Sequence, residues 1–374
     1  MSYHVRDVLE SARDSAPTPR TTTDDIIAQA GRIRARRRFA AVTGAGLASL
    51  AVAAVAVTGL NPAPAPQQSA AQPAAFTLPA GFATVLGDSR AGEYRIGPVS
   101  EVTPGYQEVD VYRDGATWSG DDGKAYPLVD GKITVYRPGV YDPQAFRRPD
   151  PQTRFGPEFE VTVAGRRGVG HTVTYPAAMQ DVGGPSASPS FDPADSVSRV
   201  ALAWEYAPGA WATYVPRDAG VRQSAEEAVA IAEALTVVPE RPVRMPYTFG
   251  YLPAGWQPIA VTETAADLST TVSEVFLHDG PLAPADLAKP VDEVTPRTVK
   301  VFVSRGDLKD DAIEGRKGVH CYTQPTCVRI LGDYFIHVDA AFGNSLPVSE
   351  VRRITEGLKP VKVADRDAWV PVRN

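Results

Sequence analysis

Leu78-Pro79-Ala80-Gly81-Phe82 (LPAGF) returns as Leu252-Pro253-Ala254-Gly255-Trp256 (LPAGW), and this return decides how the rest of the chain is read. Two further blocks recur in the same order. Ile133-Thr134-Val135-Tyr136-Arg137 matches Val299-Lys300-Val301-Phe302-Val303 in character, and Gly165-Arg166-Arg167-Gly168-Val169 matches Gly315-Arg316-Lys317-Gly318-Val319. The spacing between matched blocks falls from 174 at the first to 150 at the third, as expected of a duplication whose second copy has lost loop residues. The chain therefore reads as two tandem modules, 76–240 and 241–362, with a tail at 363–374.

Each module reads as α+β, an antiparallel sheet covered by one helix at its C-terminal end. In the first, Val109–Arg113, Lys132–Tyr136, Glu158–Val163, Gly168–Tyr175, Val200–Tyr206 and Ala210–Val215 are predicted strands, from their β-branched and aromatic content and their alternation. Pro208-Gly209 turns the last pair into a hairpin. Ser224-Ala225-Glu226-Glu227 is a capping box, and Ala228, Ile231, Ala232 and Leu235 then make one apolar stripe. The second module repeats this with Val351, Ile354 and Leu358, and Pro360 ends the helix. An antiparallel sheet that is apolar on one face needs such a cover on that face alone.

Upstream, Phe39–Leu60 holds no charged residue. As a helix it would be about 33 Å long, enough to cross a hydrocarbon layer of roughly 30 Å. Arg32, Arg34, Arg36, Arg37 and Arg38 precede it and no Lys or Arg follows until Arg90, so the expectation is a single-pass membrane protein with its N-terminus in the cytoplasm. Residues 1–38 are then a cytoplasmic segment, 39–60 a transmembrane helix, 61–75 a Pro/Ala-rich linker, and the two modules extracytoplasmic. Arg36-Arg37-Arg38-Phe39 also fits a twin-arginine export signal, which would leave a soluble product. Gly44 and Ala48 form a small-residue pair of the kind that packs helices, although so Ala-rich a stretch makes such pairs by composition alone.

The chain of 374 residues is 43% hydrophobic and 22% charged, which excludes a disordered polymer. Residues 1–38 carry eight Arg against five Asp and Glu, a net +3 within a whole-chain −6, so the remainder holds −9. No basic surplus for nucleic acid is left in the outer part. In the head, Ile26, Ile27, Ala30 and Ile33 follow helical spacing; Ile26, Ile27 and Ile33 are the candidate docking residues for a cytoplasmic protein partner, against the plainer reading of a basic flank attracted to lipid.

The opening LPAGF or LPAGW, the aromatic hairpin and the S-x-E-E helix resemble bacterial extracytoplasmic modules of unknown function, often borne by single-pass membrane proteins linked to extracytoplasmic-function sigma factors. The head, DDIIAQAGRIRARRR running into an Ala/Val-rich helix, looks like many actinobacterial proteins of that layout. The resemblance implies a regulator and names no catalytic residue.

Cys321 and Cys327, in HCYTQPTC, are the two cysteines of the chain. On an outer, oxidising side the expectation is a disulfide across a turn shortened at Pro325. A metal site with His320 and His337 is the alternative, but its spacing matches no standard zinc pattern. Gly87-Asp88-Ser89 resembles the nucleophile block of GDS-type hydrolases, yet His337-Val338-Asp339 has the wrong order to supply the base. Trp204, Tyr206, Trp211 and Tyr214 are candidates for a ligand groove, with core packing the plainer reading. His171 and His278 have no partner that the sequence identifies. The expectation is a non-catalytic sensor or regulatory subunit without cofactor or metal, an exported hydrolase or a structural envelope component being the alternatives.

Overall fold

Val109, Val111, Ile133 and Val135 alternate with Glu108, Asp110, Lys132 and Thr134, and this period of two makes β4 (Tyr106–Ser119) and β5 (Ala125–Tyr136) an antiparallel pair. The computed structural model describes residues 76–373 apart from 77, 80, 121–122, 148–153, 176–196, 218–220, 265–266, 295–297, 307–316 and 341–345. Before β4 come β1 (Ala83–Gly87), β2 (Ser89–Ala91) and β3 (Tyr94–Val102). After β5 come β6 (Arg154–Val163), β7 (Arg166–Tyr175), β8 (Val197–Ala207), β9 (Ala210–Pro216), helix α1 (Ala225–Glu233) and β10 (Thr236–Pro242). The second half runs β11 (Arg244–Met245), β12 (Tyr247–Phe249), β13 (Trp256–Glu263), β14 (Thr271–Asp279), β15 (Thr298–Arg305), β16 (Gly318–Cys321), β17 (Thr326–Leu331) and β18 (Tyr334–Asp339). It ends with α2 (Val348–Gly357), β19 (Leu358–Pro360) and β20 (Val370–Pro371).

The α+β expectation of two modules, each with its own sheet, is corrected. The described residues are dominated by strand, with two short helices of nine and ten residues. One antiparallel sheet of 14 strands spans both halves in the order β16-β17-β18-β15-β14-β13-β3-β4-β5-β9-β8-β7-β6, with β2 on β3. The halves join where β3 meets β13 through the pair Val102↔Val261. Each of these strands ends a meander and would otherwise expose a row of unpaired backbone groups, so pairing them removes two edges at once. Outward from that seam the order reads alike on both sides: three meandering strands, then a hairpin whose second strand pairs with the third strand of the meander, β9 on β5 and β18 on β15. The LPAG blocks do not share this correspondence. The first leads into β1, whose partner is β10, whereas the second leads into β13 of the large sheet.

One face of the sheet is covered. Ile231 and Ala228 of α1 and Val351 and Ile354 of α2 join Val109, Ile133, Leu202, Val275, Val301 and Ile336 in a single core cluster. Each fully buried Ile or Val stabilises by about 1.5–3 kcal/mol relative to exposure. Helix α1 begins as its sequence dictates: Ser224 Oγ accepts from the Glu227 N–H at 3.2 Å, and the Ser224 N–H donates to the Glu227 carboxylate at 2.7 Å. Helix α2 follows Pro347, which offers no side-chain cap. Residues 363–373 are also packed: β20 pairs with β11, and Trp369, 3% exposed, donates its indole N–H to Val363 O at 3.0 Å.

The single-pass membrane localisation is likewise corrected, since no helix among the described residues is long and apolar enough to cross a membrane. Phe39–Leu60, the cytoplasmic segment 1–38 with Ile26, Ile27 and Ile33, and the linker 61–75 lie outside the described residues.

Candidate functional site

The face opposite the helices is polar along its centre. Alternation that sends Val109 and Ile133 into the core sends Glu108 and Lys132 the other way, and their side chains pair as a hydrogen-bonded ion pair, Lys132 Nζ donating. The same device stands in the second half: Val275 and Val301 go to the core, while Lys300 Nζ lies 2.6 Å from Glu274 Oε2. The register makes the two pairs equivalent. Glu108 is opposite Thr134 and Glu274 is opposite Phe302, and in each case the lysine stands two residues before that opposite position. Diagonal cross-strand pairs of this kind contribute roughly 0.2–1 kcal/mol each, so they are modest stabilisers.

Around the first pair the face is acidic. Glu101 of β3 lies directly opposite Glu108 and accepts the Tyr106 hydroxyl at 2.5 Å. Asp110 accepts the Tyr112 hydroxyl at 3.2 Å and stands 3.9 Å from Lys132 Nζ. Burial, and next the charge of Glu108, push Glu101 up to about 8. Burial, with the neighbouring Glu101 carboxylate, raises the Tyr106 phenol well beyond its ordinary value. Burial opposes the charge of Lys132, but Glu108 and Asp110 outweigh it, and the ammonium is held above its ordinary value. Rings continue the band: Tyr106 to Tyr136 at 5.8 Å, Tyr136 stacked on Tyr141 at 4.5 Å, and Tyr141 to Trp211 at 6.4 Å. In the second half, Lys300 lies over Phe302, which stacks on His337 at 4.4 Å.

The candidates read from the sequence distribute differently. Cys321 and Cys327 face each other across β16 and β17, their Cα atoms 4.0 Å apart, and are joined as a disulfide. His320 Nε2 is 3.0 Å from Lys317 O, and His337 Nε2 is 3.3 Å from Ser304 Oγ. Among the described residues no group of three or more His, Cys, Asp or Glu is placed to hold a metal ion. Ser89 begins β2, beside β3, while His337 and Asp339 sit on β18, four strand spacings from β3 and so roughly 19 Å away. The Gly87-Asp88-Ser89 block is thus separated from the base it would need. The aromatic quartet splits between faces: Trp204, Tyr206 and Tyr214 enter the helix-side core, and Trp211 points to the other side. His171 is buried, its Nδ1 3.1 Å from Gly156 O and its ring between Phe146 and Phe155. His278 Nδ1 is 2.9 Å from Gly280 O.

Sequence reasoning passed over Glu101, Glu108, Lys132, Glu274 and Lys300. The signal was present in the polar positions immediately before Val102, Val109, Ile133, Val275 and Val301, which read simply as the solvent side of a strand.

No family model and no curated protein matches the chain. Among solved structures it is similar to MucB in complex with MucA(peri), at 13% identity and a TM-score of 0.20, over 74% of this chain and 94% of that one. A Pseudomonas aeruginosa MucA/MucB complex gives 13% identity and a TM-score of 0.18 over the same shares. Likeness of that degree leaves both fold and role to be argued from this chain's own residues.

Proposed function

We propose that the chain is a non-catalytic regulatory module that binds a protein through the polar band on the sheet face opposite the helices, in a sigma-factor-linked pathway such as the sequence resemblance implies. The observation that carries this reading is the recurrence of the Glu–Lys diagonal at equivalent register positions in both halves. The four side chains are 15–31% exposed, so each pair still meets solvent, and a pattern of alternating charge fixes the register of a docked protein better than it adds affinity. The partner suited to it presents acid and base in the complementary order.

The test exchanges charges without unpairing them. Glu108→Lys with Lys132→Glu, combined with Glu274→Lys and Lys300→Glu, keeps both ion pairs and inverts the pattern that a partner meets. A photo-crosslinker at Thr134 in the full chain, expressed in its own host, is expected to capture one defined protein, and the exchanged variant is expected to lose it. A crosslinker at Glu226 on α1 serves as the covered-face control. Equal capture from Thr134 in both charge arrangements, or from Glu226 alone, rejects the polar band as the binding surface.

A further inference from the structure

The opposition of Glu101 and Glu108 is a second feature of this face, and it stands independently of any partner. Opposite residues on one face of an antiparallel pair have Cβ atoms about 4.5–5.5 Å apart, and like charges placed so destabilise the pair. The neutralising groups are unequally shared. Lys132 donates to Glu108 and also faces Asp110 at 3.9 Å, and Thr134 Oγ1 donates to Glu108 at 3.4 Å. Glu101 is met by the Tyr106 hydroxyl at 2.5 Å and, among the described residues, by no cation in contact.

Among the surrounding elements, Arg95 of β3 and Arg217 act on Tyr112, the donor to Asp110, rather than on Glu101. From β14, Glu274 brings a further negative charge that its own Lys300 answers. The loop packed on the β3–β4 turn carries Asp286 and Lys289, which pair with each other at 2.6 Å. That loop is fitted closely: a Cβ added at Gly105 would fall 2.0 Å from Leu287 O. Lys132 answers Glu108 and Asp110 by contact, with Arg217 acting on it at longer range, and the remaining charge is removed by keeping a proton on Glu101.

The place of this pair gives it a consequence. Val102, the next residue after Glu101, makes the register pair with Val261 that joins the two halves. We infer that the proton held by Glu101, opposite Glu108, latches the β3–β13 seam, and that losing this proton loosens the seam between the two halves of the sheet. The direction follows from linkage. Glu101 holds its proton more tightly folded than free, with a value of about 8 against 4.5, so the latch is fully effective below pH 4.5, weakens between pH 4.5 and 8, and is spent above that.

Hydrogen exchange on the full chain tests this. Amides of 99–103 and 258–263 are followed from pH 5 to 9, with intrinsic rates corrected and β18 as an internal reference. Seam protection is expected to fall about tenfold or more relative to β18 across that range, and in Glu101→Gln to be independent of pH. Tyr106→Phe guards against a variant that fails to fold. It removes the hydroxyl that stabilises ionised Glu101, so the midpoint of the loss is expected to move to higher pH, whereas a merely structural tyrosine would lower protection at every pH and leave the midpoint in place. Seam protection that does not change with pH in the wild-type chain, or an unchanged midpoint in Tyr106→Phe, overturns the latch.

Discussion

Arg199 and Asp130 meet inside the first half, with both side chains 1% exposed. Arg199 donates to the carboxylate of Asp130, to Asp130 O at 3.0 Å and to Arg217 O at 2.7 Å, while Arg113 Nε lies 3.8 Å from the second carboxylate oxygen. A charge this deep is tolerable only while its partner is present. Asp130→Ala is expected to cost about 3–5 kcal/mol in urea denaturation. The apolar pair Asp130→Leu with Arg199→Met is expected to recover most of that loss, because it removes both charges. If the double variant is no more stable than Asp130→Ala, the cost lies in shape rather than in an orphaned charge.

Helix α1 depends on its reciprocal cap. Ser224→Ala is expected to lower stability by about 1 kcal/mol, and Ser224→Asp to restore it, since an Asp oxygen can accept the same N–H. Equal urea midpoints for all three chains would falsify the cap's contribution.

The Cys321–Cys327 bridge closes a short loop at the edge of the sheet, with a sequence separation of 6. Chain entropy assigns it about 2 kcal/mol. Replacing both cysteines with Ser is expected to lower the unfolding free energy by that amount or less, with accelerated amide exchange confined to β16 and β17. Alkylation of both thiols in the unreduced wild-type chain would show the bridge to be absent in solution.

Gly105 and Gly115 separate two reasons for glycine. At Gly105 a methyl group would strike the backbone oxygen of Leu287, whereas at Gly115, with φ at 75°, nothing lies within 4 Å of the added carbon. Gly115→Ala is expected to cost about 1–2 kcal/mol through its backbone alone. Gly105→Ala is expected to cost more, and to release the loop holding Leu287, read as new proteolytic cleavage between Gly280 and Pro290. Two equal losses without new cleavage would show that the loop yields cheaply.

Local chemistry was legible in the sequence, and the joining of distant parts was not. The capping box at Ser224, the hairpin at Pro208-Gly209 and the cysteine pair are set by neighbours within a few residues, and they stand in the structure as read. The apolar stripe of Ala228 and Ile231 followed from period, and both stand in the core. The seam did not, because β3 and β13 are held together by a short pairing between residues far apart in the chain, and no periodicity within either strand names its partner. The LPAG blocks precede non-equivalent strands for a related reason. Pro and Gly report a turn, and a turn can precede any strand, so the same five letters lead into β1 in one place and β13 in another. The polar band went unremarked because alternation tells which residues leave the core but not what they meet there. Only register puts Glu101 opposite Glu108, and Lys132 and Lys300 at like positions.

The pairing of β11 with β20 bears on how the chain is made. Synthesis runs from the N-terminus, so the whole first half emerges before β13 exists to cover the outer edge of β3, and β20 emerges after every other described strand. During that interval the nascent chain presents an unpaired strand edge, the feature through which β proteins associate wrongly. The segment that fastens the start of the second half is thus made after the strands it holds. A chain cut after Val363 lacks β20 and Trp369, and it is expected to hold both halves nearly complete and still accumulate as aggregates.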